Sequence, residues 1–333
     1  MINSEEMDKN LPLLTILVGI QGSGKSTWAG NQDDFDGLLL SSDALRSEYP
    51  NWTNDEIFKE IYKRANEALS KGIDVIIDST AITIKSRKKM LNAINVPCIK
   101  KALIFNTPYE ECKRRLIQRN AINGKTGSHY VPLEVQKKYL ERFEVPFLEE
   151  GFDYMDVYNK PSLMESNANL LYIDEKTSGF NQNNKHHSQL LNEHMNSTYF
   201  YVREHSKDMP LLIASMYHDI GKVFTQTYKE GDPNAHYYNH ANVGAYWFLS
   251  NVGVYMSEKG LFDEGRLDTY LTQTTLDTVF YINYHMVMYN LKTEKSINKW
   301  KKIFGEQKFT NLQLLNKADV FYHLNKMKEG KND

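Results

Sequence analysis

An α/β domain with a parallel sheet flanked by helices, followed by an all-α domain, is the architecture this chain predicts. Three observations carry it. The 333 residues suffice for two separate cores at about 100–200 residues each. The first half alternates short apolar runs with helical patterns, the signature of strands covered by crossover helices. After about residue 179 the strand signals nearly vanish and helical spacing takes over.

In order, "LLTILVG", "GLLLSS", "GIDVIID" and "KKALIFN" read as buried strands, with helices in "NDEIFKEIYKRANEALS" and "TPYEECKRRLIQRN". The polar stretch "TSGFNQNNKHHSQ" reads as a linker, which places the domains at 1–178 and 179–333. Helices are expected over 188–206, 209–222, 240–256, 267–290 and 308–326. A formal net charge of -2 with 41% hydrophobic residues fits a globular protein and excludes a histone-like basic binder. Cys98 and Cys112 are too few for a disulfide framework. The start lacks the apolar run of a signal peptide, and no stretch reaches the roughly 18 apolar residues of a membrane helix. A reducing, cytoplasmic setting and no membrane partner are expected.

"LTILVGIQGSGKST" runs a strand into Gly19-x4-Gly24-Lys25-Ser26 and then into helix formers. Glycines let the backbone wrap a phosphate with N–H groups, and a helix N-terminus favours the anion. Gly22, Ser23, Gly24, Lys25, Ser26 and Thr27 form the expected cradle for ATP or GTP. Lys25 reaches the outer phosphates and the Ser26 hydroxyl suits Mg²⁺. Asp43 in "SSDALR", at a strand's end, fits a base that accepts a hydroxyl proton, with Arg46 clamping an anionic acceptor; Asp43 also fits a helix N-cap. Asp78 closes the third strand as the acid on the metal side. From Lys85 to Arg119 stand ten basic residues against Glu110 and Glu111, either a solvated helix face or a groove for a polyanion. Arg119 opens the polar "RNAINGKTG", of the kind that closes over a nucleotide.

The second half concentrates histidine: nine of ten lie after residue 180. His218-Asp219 in "YHDIGK" offers imidazole and carboxylate to one cation, a set that suits Mn, Fe, Ni, Co or Zn rather than Ca. His194, His236, His240, His285 and Asp319 complete the candidates, with Lys222 beside the pair. His186, His187, His205 and His323 read as ordinary polar residues. "YFYVREH" and "AYWFL" read as core stripes before base-stacking platforms.

"GIQGSGKSTWA", "SSDALR", "IIDST" followed by Arg87, "QRN" and "VPLEVQKKYLERFEVP" resemble the 5′-kinase domain of phage-type polynucleotide kinases over about residues 11–160. That resemblance implies γ-phosphate transfer from ATP to a 5′-hydroxyl of RNA or DNA. Lys25 and Ser26 would hold phosphates and Mg²⁺, Asp43 would be the general base, Arg46 and Arg87 would face the acceptor, and Arg119 would be the lid arginine. Ala81 stands where the family often has Asn, and Asn123 where it often has a second lid arginine. Lys125 nearby offers a point charge rather than a fork. The order His194, His218-Asp219, His240, His285, Asp319 resembles the HD phosphohydrolase superfamily over about 185–326. It implies a primary metal site of His194, His218, Asp219 and Asp319, with His240 and His285 on a second metal or the scissile phosphate. Lys222 would neutralise phosphate charge, and His236 would face substrate.

Joined, the two halves resemble bifunctional end-healing enzymes. One would phosphorylate 5′-hydroxyl ends and the other would clear 3′-phosphate or 2′,3′-cyclic phosphate, leaving RNA or DNA ends for a separate ligase. A nucleoside or small-molecule kinase fused to a nucleotidase, and a nucleotide-gated regulatory module, remain the alternative readings.

Overall fold

The computed structural model describes residues 11–124, 130–184, 189–252 and 264–329, without the side chains of Asn123, 264–271 and 322–329. Lys125, His186 and His187 lie outside the described residues, as does the side chain of His323. The chain divides into two compact units, one of Met1–Tyr139 with Pro146–Asn159, the other of Leu140–Val145 with Lys160–Asp333.

The first unit is built on five parallel strands, β1 (Leu13–Val18), β2 (Leu38–Ser41), β3 (Val75–Asp78), β4 (Ile99–Phe105) and β5 (Tyr154–Tyr158), in the order β2-β3-β1-β4-β5. β1 is buried from Leu14 to Val18 because it lies mid-sheet, paired with β3 and β4. The helices are α1 (Lys25–Gly30), α2 (Ser42–Glu48), α3 (Asn54–Leu69), α4 (Ile84–Ala93), α5 (Tyr109–Asn123) and α6 (Leu133–Leu140). Thr53 and Glu56 close a capping box at the start of α3, whose Ile57, Ile61, Ala65, Ala68 and Leu69 form one buried stripe. The four expected strands are present. β5 is an addition, an edge strand whose alternating "YMDVY" carries no continuous apolar run.

The second unit is helical: α7 (Leu163–Thr177), α8 (Leu191–His205), α9 (Met209–Tyr217), α10 (Lys222–Thr225), α11 (His240–Asn251), α12 (Glu264–Tyr284), α13 (Glu294–Phe304) and α14 (Glu306–Glu329). A two-stranded antiparallel hairpin, β6 (Gln226–Tyr228) and β7 (Ala235–Tyr237), precedes α11, and a 3-10 turn, His285–Asn290, follows α12. Tyr201, Tyr246 and Phe248 are buried, as the core-stripe reading expects, whereas Phe200 of the first stripe is exposed.

The division falls near residue 160, not 178. Ser166 on α7 donates to the Val252 carbonyl, and Asn169 donates to that of Asn251, so α7 packs within the second unit. Nor is the described part of the polar stretch, 177–184, a free linker. Gln182 is fully buried, and the Asn183 carbonyl accepts from Ala235 N–H at 2.8 Å. Amide-rich composition mimics solvent exposure, whereas here the amides satisfy neighbouring backbone. Among the described residues no helix is long and apolar enough to cross a membrane.

Candidate active sites

The loop after β1 is pinned from two sides. Gly19 N–H donates to the Thr80 carbonyl beyond β3, and Thr107 Oγ1 beyond β4 donates to the Ser23 carbonyl at 2.8 Å. Gly22 sits at φ 83°, where a Cβ would lie 2.4 Å from the Cys112 carbonyl oxygen, so only glycine fits. Lys25 is buried, its Nζ donating to the carbonyls of Gly19 (2.8 Å) and Ile20 (3.0 Å). Burial pushes its pKa down to about 8 against the pull of Asp78 and Asp43. Burial raises the Asp78 carboxyl as well, opposed by a hydrogen bond with Ser26 and by Lys25.

Parallel register sets Ser41 beside Asp78, so the ends of β2, β3 and β1 bring Asp43, Asp78 and the loop to one edge of the sheet. Ser41, not Asp43, caps α2, accepting from Ala44 N–H, and Asp43 projects from the first turn. Its Oδ1 accepts from Arg46 Nη1 at 2.6 Å, while Arg46 Nη2 donates to Asn54 Oδ1 at 2.8 Å. Gly22, Ser23, Gly24, Lys25, Ser26, Thr27, Asp43, Arg46, Asp78 and Arg119 all line one open cleft of about 1130 Å³. The residues fit a nucleotide triphosphate with Mg²⁺. Ser26 meets Asp78, and the buried Arg119 Nε lacks a partner among the described residues, leaving a donor for an anion.

Arg87 is a correction. It is fully buried, donating through Nε (2.8 Å) and Nη2 (2.7 Å) to Glu150 and through Nη1 to the Ala81 carbonyl, and so cannot reach an acceptor. Ala81 itself holds φ 42°, a region where Asn is at home. Arg119 lies within α5, which continues to Asn123, instead of opening a loop. The basic run does not make one patch. Lys89 pairs with Asp55, Lys113 with Glu110, and Arg114 and Arg115 with Glu111; of the ten basic residues, Arg115 and Arg119 line the cleft.

In the second unit, His194 (α8), His218 and Asp219 (after α9) and Asp319 (α14) form one buried group, and Asp219, His240 and His285 form another. Asp219 joins them. Its Oδ2 lies 3.3 Å from His194 Nε2, and its Oδ1 lies 3.1 Å from His240 Nε2 and 3.6 Å from His285 Nε2. Asp319 Oδ1 lies 2.9 Å from His194 Nε2 and 3.6 Å from His218 Nε2.

Tautomers test the fit to a metal. Nδ1 of His218, His240 and His285 each faces a backbone carbonyl three residues back, which can only accept, so Nδ1 carries the proton. With Nδ1 so engaged, Nε2 is the ring atom of His240 and His285 left to ligate, and the two Nε2 atoms face each other at 3.2 Å beside Asp219 Oδ1, an arrangement that a cation between them would satisfy. Burial opposes the charge on Asp219 and Asp319. Lys222 and His218 for the first, and His194 and His218 for the second, overcome it and hold both carboxyls well below the usual range. Burial also opposes protonation of His194, which its two aspartates nonetheless raise to about 9. Two anionic carboxylates with convergent imidazoles fit a transition metal.

Lys222 is buried in the cluster, donating to Asp219 Oδ2 (2.6 Å) and Gln182 Oε1 (2.8 Å). His236 stands apart from both groups, its Nε2 on Asp232 Oδ2 at 2.9 Å. His205 turns its Nδ1 to the Tyr201 carbonyl, an ordinary polar role. Three residues escaped the sequence reading: Glu150, Gln182 and Tyr289, whose hydroxyl donates to Asp319 Oδ2 at 2.6 Å. Tyr289 does carry a signal, the helical i+4 spacing from His285.

A family model described as an AAA domain matches residues 14–146, spanning the phosphate loop and the first four strands. No curated protein matches the chain. Similar solved chains include one in the Pnkp1/Rnl/Hen1 RNA repair complex, at 25% identity over 41% of this chain and 45% of that one, with a TM-score of 0.36. Kti12 of Chaetomium thermophilum in complex with ADP-AlF3 gives 15% identity over 44% and 88%, TM-score 0.35. A sugar kinase from Janibacter sp. HTCC2649 gives 18% over 49% and 95%, TM-score 0.34. The chain thus spans less than half the length of the RNA-repair chain. The first unit joins a parallel sheet to a phosphate-loop motif and matches the AAA-domain model; the second is helical and carries a buried His/Asp cluster.

Proposed function

We propose that the chain heals nucleic-acid ends, RNA by preference, phosphorylating 5′-hydroxyls with ATP and removing 3′-phosphate or opening 2′,3′-cyclic phosphate. The observation that carries this is the presence on one chain of two sites suited to phosphate chemistry, a loop cleft bearing Asp43 and Arg46 and a buried His/Asp cluster joined through Asp219.

In the cleft, Arg46 holds the acceptor's phosphate and in doing so releases Asp43, which accepts the proton of the attacking hydroxyl. The new O–P bond forms as the bond to the nucleoside diphosphate breaks, and Lys25 and Arg119 take up charge on the transferred group. In the second unit His194, His218, Asp219 and Asp319 would hold one metal, and His240 and His285 would share Asp219 for another. A bound metal polarises the phosphoryl oxygen and lowers the pKa of water. Lys222 fixes Asp219 and Gln182 fixes Lys222. Products with 5′-phosphate and 3′-hydroxyl ends are what a separate ligase joins.

The pairing of Lys89, Lys113, Arg114 and Arg115 with nearby acids favours a second reading, a small-molecule kinase joined to a nucleotidase. One incubation decides. A 5′-hydroxyl, 2′,3′-cyclic-phosphate RNA is given ATP, Mg²⁺ and Mn²⁺, and both ends are read. Conversion of both ends, with free nucleosides phosphorylated far more slowly, is expected; equal rates on nucleosides would establish the second reading.

A further inference from the structure

We propose that Tyr289 is a positioning residue that makes Asp319 a one-oxygen metal ligand and ties the two halves of the cluster together. This rests on the reading of the cluster as a metal site.

Asp319 divides its oxygens. Oδ1 faces His194 and His218, while Oδ2 accepts the Tyr289 hydroxyl at 2.6 Å. A carboxylate with one oxygen held in this way presents only the other, which fixes both its angle and its denticity. Without the hydroxyl, Asp319 is free to turn both oxygens inward or to swing away. The carrier of Tyr289 matters as much. It lies on the 3-10 turn His285–Asn290, whose first residue is His285, a member of the other group. The turn packs against α14, which carries Asp319. One short element therefore holds a ligand of one half and the hydrogen-bond donor that orients a ligand of the other. Tyr289 as a whole is two-fifths exposed, so removing its hydroxyl opens no cavity in the core; what loses a donor is Asp319 Oδ2.

The test uses the full chain stripped of metal and titrated with Co²⁺, whose visible bands report coordination number. Wild-type protein is expected to bind Co²⁺ and show those bands. Y289F should bind about tenfold or more weakly, within the 10–100-fold that loss of an orienting partner costs. Its bands should shift, and its metal-free thermal unfolding should match wild type. Equal affinity and spectrum in Y289F would overturn the role of Tyr289 alone. Wild-type protein that binds no Co²⁺ would overturn the metal reading with it. A Y289F chain whose metal-free form is already destabilised or unfolded would make Tyr289 a fold residue, and also ends the proposal.

Discussion

At the scale of single residues, charge gains its meaning from partners that sequence spacing does not reveal. Arg87 stands in a basic run and invites a polyanion, yet Glu150, sixty-three positions on, takes it in a two-point ion pair with both side chains fully buried. Removing one partner of such a pair strands a charge in the interior, at about 3–5 kcal/mol. Glu150→Ala should therefore destabilise the first unit by that order in denaturant unfolding. Replacing Arg87 and Glu150 together by Met and Leu should recover most of the loss, and a double variant as unstable as E150A would contradict the account. Asp43 makes the opposite case. Because Ser41 supplies the cap, the Asp43 carboxylate has no structural duty beyond its exposed pair with Arg46. Asp43→Ala is expected to leave thermal stability within about 0.5 kcal/mol, as for most surface changes. It should lower phosphorylation of a 5′-hydroxyl oligonucleotide about a hundredfold or more, the share of a general base. A stable variant with unchanged rate would remove Asp43 from the chemistry.

At the scale of elements, the glycine of "YHDIGK" is a packing residue. A Cβ on Gly221 would lie 1.9 Å from the His240 carbonyl oxygen and 2.8 Å from the Gly244 nitrogen, so the turn after α9 and the start of α11 touch backbone to backbone. That contact brings His218-Asp219 against His240. Gly221→Ala must push α11 away, and overpacking of this kind costs about 1–3 kcal/mol. The expected result is a lower melting temperature together with less metal retained on purification; a variant that melts and binds like wild type would refute the contact's role. Elements of this sort divide what a sequence reveals. Long apolar runs such as "LLTILVG" announce buried strands because both faces are covered. The cluster was legible as a grouping because four dispersed histidines and two aspartates had no other common purpose in the sequence. What was not legible depends on tertiary partners: α7 has helical spacing but no mark of the unit it joins, and Gln182 looks like linker until Lys222 is seen to need it. The second alternative for Asp43, an N-cap, was undecidable until Ser41 took the role.

At the scale of the whole chain, the proposal requires two sites that share no residue and fail separately. Asp219 is the position to test because it belongs to both halves of the cluster and to none of the cleft. Alanine there would strand Lys222, which is 4% exposed and 2.6 Å from Asp219 Oδ2, confounding chemistry with folding. Asp219→Asn keeps an oxygen for Lys222 while removing the charge that joins the two imidazole groups. Activity on 3′-phosphate or 2′,3′-cyclic ends should then fall a hundredfold or more, because the shared anionic ligand is gone. Phosphorylation of 5′-hydroxyl ends should be unchanged. Phenanthroline in excess Mg²⁺ should reproduce this pattern in the wild-type chain, since it withdraws transition metals and leaves Mg²⁺ for the cleft. Added Mn²⁺ should restore the chelated wild type but not D219N. If D219N lowers both activities equally while its melting curve stays that of the wild type, the chain has one functional centre and the end-healing reading fails.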